Sequence, residues 1–473
     1  MKTMTLKEFL ACTGGQLLSE KENVFSDIGF DTRLDLTGKI FIAIHGETHD
    51  AHDFIAKAVE KGAAAVVVHR ETADLADVKS RTTVIKVPDT LLALHDLARY
   101  SRRNSKALVV GIAGSNGKTT SKEFCAAVIS TYRKVHYSKG SFNNHWGVPF
   151  TILSEAKDTQ VLILEMGMNH PRELEVLAKI GEPDIAVVTY VGVEHIEHFG
   201  SLEKISEAEE EIYKFSPPQA QRIFNLDNPW TNKMFARATQ DYPNAKKIWT
   251  FSAKNKNADV SLEIVELTMG SLRVRGHIGA VKNEAVVAIF GAHNLTNLMV
   301  AAAVGLSVGL SGEEVWAALP NCKSTWGRNQ LVTTKHGAQI LFDGYNANPD
   351  SMTALLENLS LLKTSGKRFG VFGQMRELGH HAAAAHLELG TAVGKASFDC
   401  IWFVGEDCDS FESGIKASGY SKQLMISSRY DGAFASQLAA QLTSGDLAIV
   451  KGSRGVELER FVLACEPLNF NGK

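Results

Sequence analysis

Cysteine is scarce in this chain, and its few occurrences are scattered. The 473 residues contain six cysteines, and no two of them form a Cys-x-x-Cys pair or stand beside a pair of histidines. This spacing excludes the common zinc and thiol-redox motifs. It is typical of reduced, structural thiols in a cytosolic protein.

Long hydrophobic runs are also missing. Residues 1–16 mix charged with apolar side chains and contain no continuous apolar segment of the kind that directs secretion. The longest apolar stretch, residues 298–310, is too short for a membrane span and is interrupted by Gly305, Ser307 and Gly309. We therefore expect no membrane span and a cytoplasmic location.

A strong excess of charge of either sign is absent as well. The net charge is −3, with 22% charged and 44% hydrophobic residues. These values are ordinary for a globular protein and argue against a general nucleic-acid binder. At roughly 150 residues per domain, the length predicts about three domains.

The most informative stretch present is the glycine-rich segment 111–120, which lies between an apolar β-branched run and a segment with helical spacing. A strand, a glycine turn and a helix N-terminus together form a phosphate cradle, in which Lys118 reaches the outer phosphates and Thr119 can hold Mg²⁺. The spacing departs from the usual motif, because Ile112 stands in place of the first glycine. A plain turn with an N-cap is the alternative, but the setting favours a nucleoside triphosphate site.

Two further polar clusters follow predicted strands. Glu165 follows the apolar run 161–164, and a carboxylate at a strand end beside a phosphate loop is well placed to bind Mg²⁺. A surface carboxylate is the alternative. Residues 193–200, which include His195, gather two histidines and two glutamates where the same crevice should open. The following segment, 201–215, carries five glutamates, most of which we expect on a solvated face.

Polar residues near the N-terminus suggest a separate ligand site. Thr32 and Arg33 supply a hydroxyl and a cation suited to a phosphate or a uridine ribose. The loop 46–54 is dense in polar groups that can face a ligand, although a solvated loop with Asp53 as a helix N-cap fits it equally well.

The order of predicted strands and helices indicates an α/β protein. Apolar strands separated by helical segments predict a parallel sheet in the centre, and residues 248–290 alternate with period two, which predicts an antiparallel appendage on it. Past residue 320, strands again alternate with helices. We predict a small α/β N-terminal domain at 1–88, a central domain at 89–320 with a P-loop ATPase-like parallel sheet, and a C-terminal Rossmann-like doubly wound domain at 321–473.

Several later segments are expected to reach the nucleotide. Asn294 and Asn297 stand three apart on one helix face, as caps or as amide readers of a base. The loops 343–349 and 451–454 follow strand ends of the third domain. Because strand-end loops in such sheets face ligands, both are expected to close over the site.

Taken together, these motifs resemble the Mur ligase family over nearly the whole chain, most closely the type that joins D-Ala-D-Ala to UDP-N-acetylmuramoyl-tripeptide. The resemblance rests on residues 46–54, 114–120, 143–144 with 147–149, 165–167, 194–197 with 199–200, 291–294 with Asn297, Asp343, 345–352, 373–379 and 451–454. The runs Tyr-Asn-Ala-Asn-Pro at 345–349 and Met-Arg-Glu-Leu-Gly at 375–379 separate this type from relatives that add single amino acids.

The resemblance implies ATP-driven amide formation through an acyl phosphate, with ATP and Mg²⁺ as cofactors and UDP-N-acetylmuramoyl-tripeptide and D-Ala-D-Ala as partners. We expect a monomer. By motif match, the catalytic residues are Lys118, Glu165, His195 and Glu209, and the metal is held by Thr119, Glu165 and His195. The matched nucleotide-binding residues are Gly114, Ser115, Asn116, Gly117, Lys118, Thr119, Thr120, Asn294, Asn297, Arg328 and Asp343. The matched substrate-binding residues are Thr32, Arg33, Gly46, Asp50, His52, Asn143, Asn144, Tyr345, Asn346, Asn348 and Lys451.

Two positions depart from the family pattern. The family usually carries a carbamylated lysine where Glu209 aligns, and our hypothesis is that Glu209 supplies that carboxylate directly, which removes the need for CO₂. A water or a shifted helix would fill the shorter reach. The alternative is that Glu209 points to solvent with its neighbours. Gly344 stands where the family often has a second acid, which leaves Asp343 to act alone.

Two other interpretations stay open on the sequence alone. A single-amino-acid Mur ligase or a folylpolyglutamate-type ligase would share the ATP site but not the acceptor. A regulatory protein that has lost catalysis would bind ATP without acceptor-dependent turnover.

Overall fold

The computed structural model describes residues 4–46, 49–359 and 364–470. It contains three main β-sheets covered by helices, so the predicted α/β class is confirmed. Glu47 and Thr48, in the polar loop 46–54, lie outside the described residues. Within the described ranges, no helix is both long and apolar enough to cross a membrane.

The N-terminal part forms a five-stranded sheet in the order β2-β7-β6-β5-β4, in which only β2 runs antiparallel to its neighbour. A separate short antiparallel pair joins β1 to β3. The strands are β1 (Met4–Thr5), β2 (Gln16–Ser19), β3 (Val24–Phe25), β4 (Asp27–Gly29), β5 (Lys39–Ile42), β6 (Ala65–Val68) and β7 (Thr83–Lys86), and the helices are α1 (Leu6–Thr13), α2 (Ile55–Glu60) and α3 (Leu75–Arg81).

The central part forms a nine-stranded sheet in the order β16-β15-β14-β13-β12-β11-β8-β10-β9. Its strands are β8 (Leu108–Ala113), β9 (Val135–Tyr137), β10 (Val161–Glu165), β11 (Ile185–Val188), β12 (Gln221–Asn225), β13 (Ile248–Phe251), β14 (Val260–Leu267), β15 (Leu272–Ile278) and β16 (Val281–Val287). Its helices are α4 (Thr90–Arg103), α5 (Lys118–Ser130), α6 (Gly147–Leu153), α7 (Glu173–Gly181), α8 (Ile196–Phe199), α9 (Leu202–Glu209), α10 (Glu211–Phe215), α11 (Pro229–Asp241), α12 (Asn294–Ser307) and α13 (Gly312–Ala318).

Strand β8 lies in the middle of this sheet and is buried on both faces. Val110 and Ile112 pack into the cluster formed with α5 and α12, whereas Val109 and Ala113 pack into the cluster on the opposite face. A strand covered by helices on both sides must be apolar throughout, which explains the continuous apolar run that precedes the glycine turn.

The antiparallel appendage is shorter than the alternation of residues 248–290 predicts. Strand β13 runs parallel to β12, and only β14, β15 and β16 form antiparallel ladders. The reason is the helix α11, which carries the chain from β12 back to the start of β13, as a parallel connection requires. The prediction that the appendage begins at residue 248 is therefore wrong.

The C-terminal part forms a six-stranded sheet in the order β17-β18-β22-β19-β20-β21, in which only β17 is antiparallel. Its strands are β17 (Gln330–Thr333), β18 (Gln339–Asp343), β19 (Arg368–Gly373), β20 (Cys400–Val404), β21 (Gln423–Ser427) and β22 (Leu447–Lys451). Its helices are α14 (Pro349–Asn358), α15 (Ala382–Lys395), α16 (Cys408–Ala417), α17 (Gly432–Ala439) and α18 (Glu459–Ala464). The predicted doubly wound sheet of the third domain is thus present.

Candidate active site

A cleft of about 1170 Å³ lies where the three parts of the chain meet. Its walls come from the loops after β8, β10 and β11 in the centre, from His45 and Gly46 at the N-terminal side, and from the loops after β18 and β22 on the C-terminal side. The sequence-predicted residues that line it are Gly46, Ser115, Asn116, Gly117, Lys118, Thr119, Thr120, Asn143, Asn144, Glu165, His195, Asn294, Asn297, Arg328, Asp343, Tyr345, Asn346, Asn348 and Lys451.

The glycine turn at the start of α5 can exist only because two of its residues lack side chains. Gly114 has φ +124°, and a Cβ there would lie 2.3 Å from Oγ1 of Thr189. Gly117 has φ +85°, and a Cβ there would lie 2.5 Å from Oδ1 of Asn297. The turn therefore packs tightly against its support and directs the N-terminus of α5 toward the cleft, which is the arrangement that binds phosphate.

Lys118 is the first residue of α5 and folds back over the turn. Its Nζ donates to the carbonyl of Gly114 at 2.6 Å and lies 3.0 Å from Oε2 of Glu194. Burial opposes the charged form of the amine, but the carboxylates of Glu194 and Glu209 prevail and raise the pKa of Lys118 above its usual value. The ammonium group is therefore present, and it lies beside the cradle.

Glu165, at the end of β10, is the centre of a buried hydrogen-bond network. Its Oε1 accepts from Oγ1 of Thr119 at 3.0 Å and from Nδ2 of Asn143 at 2.9 Å. Its Oε2 lies 3.3 Å from Nζ of Lys122, and both side chains are buried, with exposures of 1% and 0%. The surface-carboxylate alternative for Glu165 is excluded by this burial.

Lys122 is a functional-site residue that the sequence analysis missed. It lies one helical turn after Lys118, and its ammonium group also donates to the carbonyl of Gly140 and lies 3.4 Å from Oε1 of Glu123. A lysine on the exposed side of a helix would give the same sequence pattern. Its position four residues after Lys118, on the same helix face, is the one signal that could have revealed it.

Glu209 does not point to solvent. Its side chain is buried, with only 2% exposure of the residue, and its Oε2 has no hydrogen-bond partner within the described part of the chain. Burial raises the pKa of Glu209 to about 8, while Lys118 lowers it and Glu194 raises it further. A second cation in this region would favour the ionised carboxylate.

The expectation of a solvated glutamate face holds for only two of the five side chains. Glu203 and Glu207 are exposed, but Glu210 is buried in ion pairs with Arg237 and Lys214. Glu211 accepts from the backbone N–H groups of Arg172 and Glu175 at the start of α7. This part of the prediction is wrong, because the neighbouring helices supply partners that a single-helix pattern does not contain.

His195 connects the central part to the C-terminal part. Its Nε2 lies 3.6 Å from Oε1 of Glu194, and its Nδ1 lies 2.5 Å from Oε2 of Glu377. Burial disfavours the imidazolium, yet Glu377 and Glu194 outweigh that effect and raise the pKa of His195. Glu377 is the second residue that sequence reasoning left out of the site, although it lies in the Met-Arg-Glu-Leu-Gly run.

Asn294 and Asn297 are both buried and are bonded within the protein. Nδ2 of Asn294 donates to the carbonyl of Phe290, and Nδ2 of Asn297 donates to Oδ1 of Asn294. Oδ1 of Asn297 accepts from Oγ of Ser121, next to the glycine turn. These bonds are neither helix caps nor contacts to a base, and they join α12 to the start of α5 next to the phosphate loop.

The C-terminal loops reach the phosphate loop directly. Nδ2 of Asn348 donates to Oδ1 of Asn116 at 3.0 Å. The guanidinium of Arg328 lies 4.3 Å from the ring centre of Tyr345, and its Nη2 lies 3.4 Å from Oγ1 of Thr119. These contacts place residues of the C-terminal part beside the phosphate loop.

Some predicted residues do not line this cleft. Arg33 is largely exposed and paired with Asp31, and Thr32 lies beside it on the N-terminal part. His52 is buried, with Nδ1 2.7 Å from Oδ1 of Asp50 and Nε2 accepting from the N–H of His69 at 3.1 Å. Both ring nitrogens of His52 are therefore occupied, and its place is structural. Gly114, which packs against Thr189, and Glu209 also lie outside the lining of the cleft.

Few protein groups are placed to bind the predicted metal ion. Across residues 4–46, 49–359 and 364–470, no three His, Cys, Asp or Glu side chains converge in a way that would cage an ion. Mg²⁺ commonly takes only one or two carboxylates and completes its shell with phosphates and water. The hydroxyl of Thr119 and the carboxylate of Glu165 lie 3.0 Å apart and fit an ion shared with a nucleotide, and His195 lines the same cleft.

Three family models match the chain in succession. They are the Mur ligase family catalytic domain at residues 25–102, the Mur ligase middle domain at 112–305 and the Mur ligase glutamate ligase domain at 327–454. The UDP-N-acetylmuramoyl-tripeptide--D-alanyl-D-alanine ligase of Bacillus subtilis is 31% identical over 462 residues, which cover 97% of each chain.

Solved structures agree with these matches. A MurF from Acinetobacter baumannii superposes with a TM-score of 0.86 at 26% identity, covering 98% of this chain and 99% of the other. The MurF ligase from Thermotoga maritima, solved in complex with ADP, superposes with a TM-score of 0.79 at 28% identity, covering 93% of this chain and 96% of the other.

Proposed function

The chain belongs to the Mur ligase family, and on that premise we propose that it joins D-Ala-D-Ala to UDP-N-acetylmuramoyl-tripeptide with conversion of ATP to ADP and phosphate. The observation that carries the proposal is the single cleft in which the phosphate loop, Glu165 and the loop with Tyr345 and Asn346 face one another. Full-length similarity to a ligase of this name supports the acceptor.

The reaction must activate a carboxylate, which is a poor acyl donor. A carboxylate oxygen of the tripeptide attacks the γ-phosphorus of ATP, ADP leaves, and an acyl phosphate forms. The amine of D-Ala-D-Ala then attacks the acyl carbon and loses a proton, and the carbon–oxygen bond breaks. The released phosphate therefore keeps the oxygen that came from the carboxylate.

The chain's own groups supply position and charge for these steps. The backbone N–H groups of the glycine turn and the ammonium of Lys118 stabilise negative charge on the transferring phosphoryl group. Arg328 and Asn348 bring the C-terminal loops to the cradle and exclude water from it. Mg²⁺, when bound, neutralises phosphate charge, and Thr119, Glu165 and His195 would hold it.

The remaining assignments follow from the same premise. Thr32 and Arg33 would bind the UDP end, on the N-terminal part. Because ATP and nucleotide-linked precursors are cytoplasmic metabolites and the six cysteines are unbridged thiols, we infer a cytoplasmic enzyme. We also propose a monomer, because all three parts of the chain contribute lining residues to the cleft.

Acceptor dependence tests this function. Phosphate release should require both UDP-N-acetylmuramoyl-tripeptide and D-Ala-D-Ala, and single amino acids should not replace the dipeptide. A rate that responds to a single amino acid or to glutamate would indicate the other ligase types. Binding of ATP with no acceptor-dependent release would indicate a regulatory protein.

We further propose that Glu209, which lies beside Lys118 and the backbone of Gly114 and outside the cleft lining, is a carboxylate ligand of the cation. Its burial, its unpartnered Oε2 and the electrostatic influence of Lys118 support this role. Glu209→Gln should raise the Mg²⁺ concentration that gives the half-maximal rate by about 10- to 100-fold, because the amide cannot replace an anionic oxygen. Added bicarbonate should change neither the rate of the parent protein nor the rate of Glu209→Gln.

The matched control is Glu207→Gln, which removes an exposed carboxylate from the same helix. It should leave the Mg²⁺ dependence unchanged. An unaltered rate and Mg²⁺ requirement in Glu209→Gln would refute the role of Glu209 and leave the acceptor assignment intact.

A further inference from the structure

The contact between His195 and Glu377 joins two loops from different sheets. His195 precedes α8 in the central part, and Glu377 follows β19 in the C-terminal part. The Nδ1–Oε2 distance is 2.5 Å, and the histidine side chain is only 14% exposed. Within the described ranges this buried nitrogen has no hydrogen bond of ordinary geometry, and Oε2 of Glu377 is the carboxylate oxygen that lies against it.

Both partners have an unfavourable backbone conformation. His195 has φ +52° and Glu377 has φ +64°, in the left-handed region that non-glycine residues rarely adopt. Such a conformation is unfavourable for a residue with a side chain and persists where the surrounding structure determines it. Two such residues meet side chain to side chain across the boundary between two sheets.

The loop that carries Glu377 is held from its own side. The N–H of Met375 donates to Nε2 of the buried His386 at 2.9 Å, and the N–H of Arg376 donates to Oγ of Ser453 at 3.1 Å. At its far end the loop presses on the central part, since a Cβ on Gly379 would lie 2.9 Å from Cβ of Glu197. These contacts hold the loop in place, so the carboxylate of Glu377 lies against His195.

We propose that Glu377 is a positioning residue for His195. Its carboxylate keeps the proton on Nδ1 and fixes the ring, so that Nε2, on the Glu194 side, is the nitrogen that holds the cation. Carboxylates commonly orient metal-binding histidines in this way. The cation site is then complete only while the C-terminal part is docked. This inference rests on the proposed cation-binding role of His195.

The test uses the full chain with a non-hydrolysable ATP analogue and Mn²⁺ as the probe, followed by electron paramagnetic resonance. Glu377→Ala should weaken Mn²⁺ binding by about 10- to 100-fold, and Glu377→Gln, which keeps an acceptor oxygen, should restore most of the affinity. In a His195→Ala background, Glu377→Ala should have no further effect, because its action passes through the histidine. Thermal melting checks that each variant is folded.

The control is Glu406→Ala, an exposed carboxylate next to the same loop, whose backbone N–H donates to Gln374. It should leave Mn²⁺ binding unchanged. A second readout is the ¹⁵N spectrum of His195, which should report an Nδ1–H tautomer in the parent protein and a mixture in Glu377→Ala.

Three results would overturn the inference, and they have different meanings. Unchanged Mn²⁺ binding in Glu377→Ala, with weakened binding in His195→Ala, would refute the role of Glu377 alone. Equal losses from Glu377→Ala in both backgrounds would show that Glu377 acts independently of His195. Unchanged binding in His195→Ala would refute the proposed role of His195, and the inference with it.

Discussion

Lys118→Met is expected to lower acceptor-dependent phosphate release by about 10³-fold, equivalent to about 4 kcal/mol of transition-state stabilisation. The methionine fills a similar volume but cannot offer a cation to the transferring phosphoryl group. Steady-state phosphate release at saturating ATP measures the loss. The largest part should fall on kcat, because charge develops on the phosphoryl group during transfer.

The same substitution also removes the cation that interacts with the carboxylates of Glu194 and Glu209. Thermal melting must therefore show that the variant is still folded. The variant should retain a cooperative melting transition, since one of the two carboxylates can take up a proton. The control is Lys106→Met, an exposed lysine just before β8, which should have wild-type activity. Product formation by Lys118→Met at the parent rate would contradict the assignment of Lys118 and the glycine turn as the site that binds the transferring phosphoryl group.

Glu165→Gln is expected to impair both activity and stability. The loss of its charge leaves the fully buried ammonium of Lys122 with Glu123 as the one carboxylate paired with it among the described residues. Breaking a buried ion pair from one side costs about 3 kcal/mol, and loss of a cation ligand should lower the rate by about 10²-fold or more. Denaturant unfolding and Mg²⁺-dependent turnover measure the two effects.

A second substitution separates the two effects. In Glu165→Gln with Lys122→Met, the stability should recover because no charge remains buried without a partner, whereas activity should stay low. Asp158→Asn breaks the exposed ion pair with Lys134, whose side chains are 63% and 68% exposed, and should leave the stability almost unchanged. Recovery of activity in the double variant would show that Glu165 does not bind the cation.

The sequence was most informative where local structure and chemistry coincide. The strand, glycine turn and helix around Lys118 are contiguous, so their geometry follows from chain order and the φ values that only glycine adopts readily. The position of Glu165 at a strand end could be predicted for the same reason. Family resemblance correctly extended this to the three-part α/β architecture.

The rest depended on contacts that no local pattern contains. Glu165, which pairs with Lys122, lies 43 residues away at the end of a strand. A buried lysine has the same neighbours in sequence as a solvated one. Glu377 reaches His195 from a different sheet. His52 was expected to face a ligand, but His69 and Asp50 occupy both of its nitrogens. Tertiary packing decides each of these cases.

The most direct test of the central claim follows an oxygen atom. UDP-N-acetylmuramoyl-tripeptide labelled with ¹⁸O in its terminal carboxylate is incubated with ATP and D-Ala-D-Ala, and the released phosphate is examined by mass spectrometry. Activation through an acyl phosphate predicts one ¹⁸O atom in each phosphate. Unlabelled phosphate, formed together with the amide product, would contradict the account.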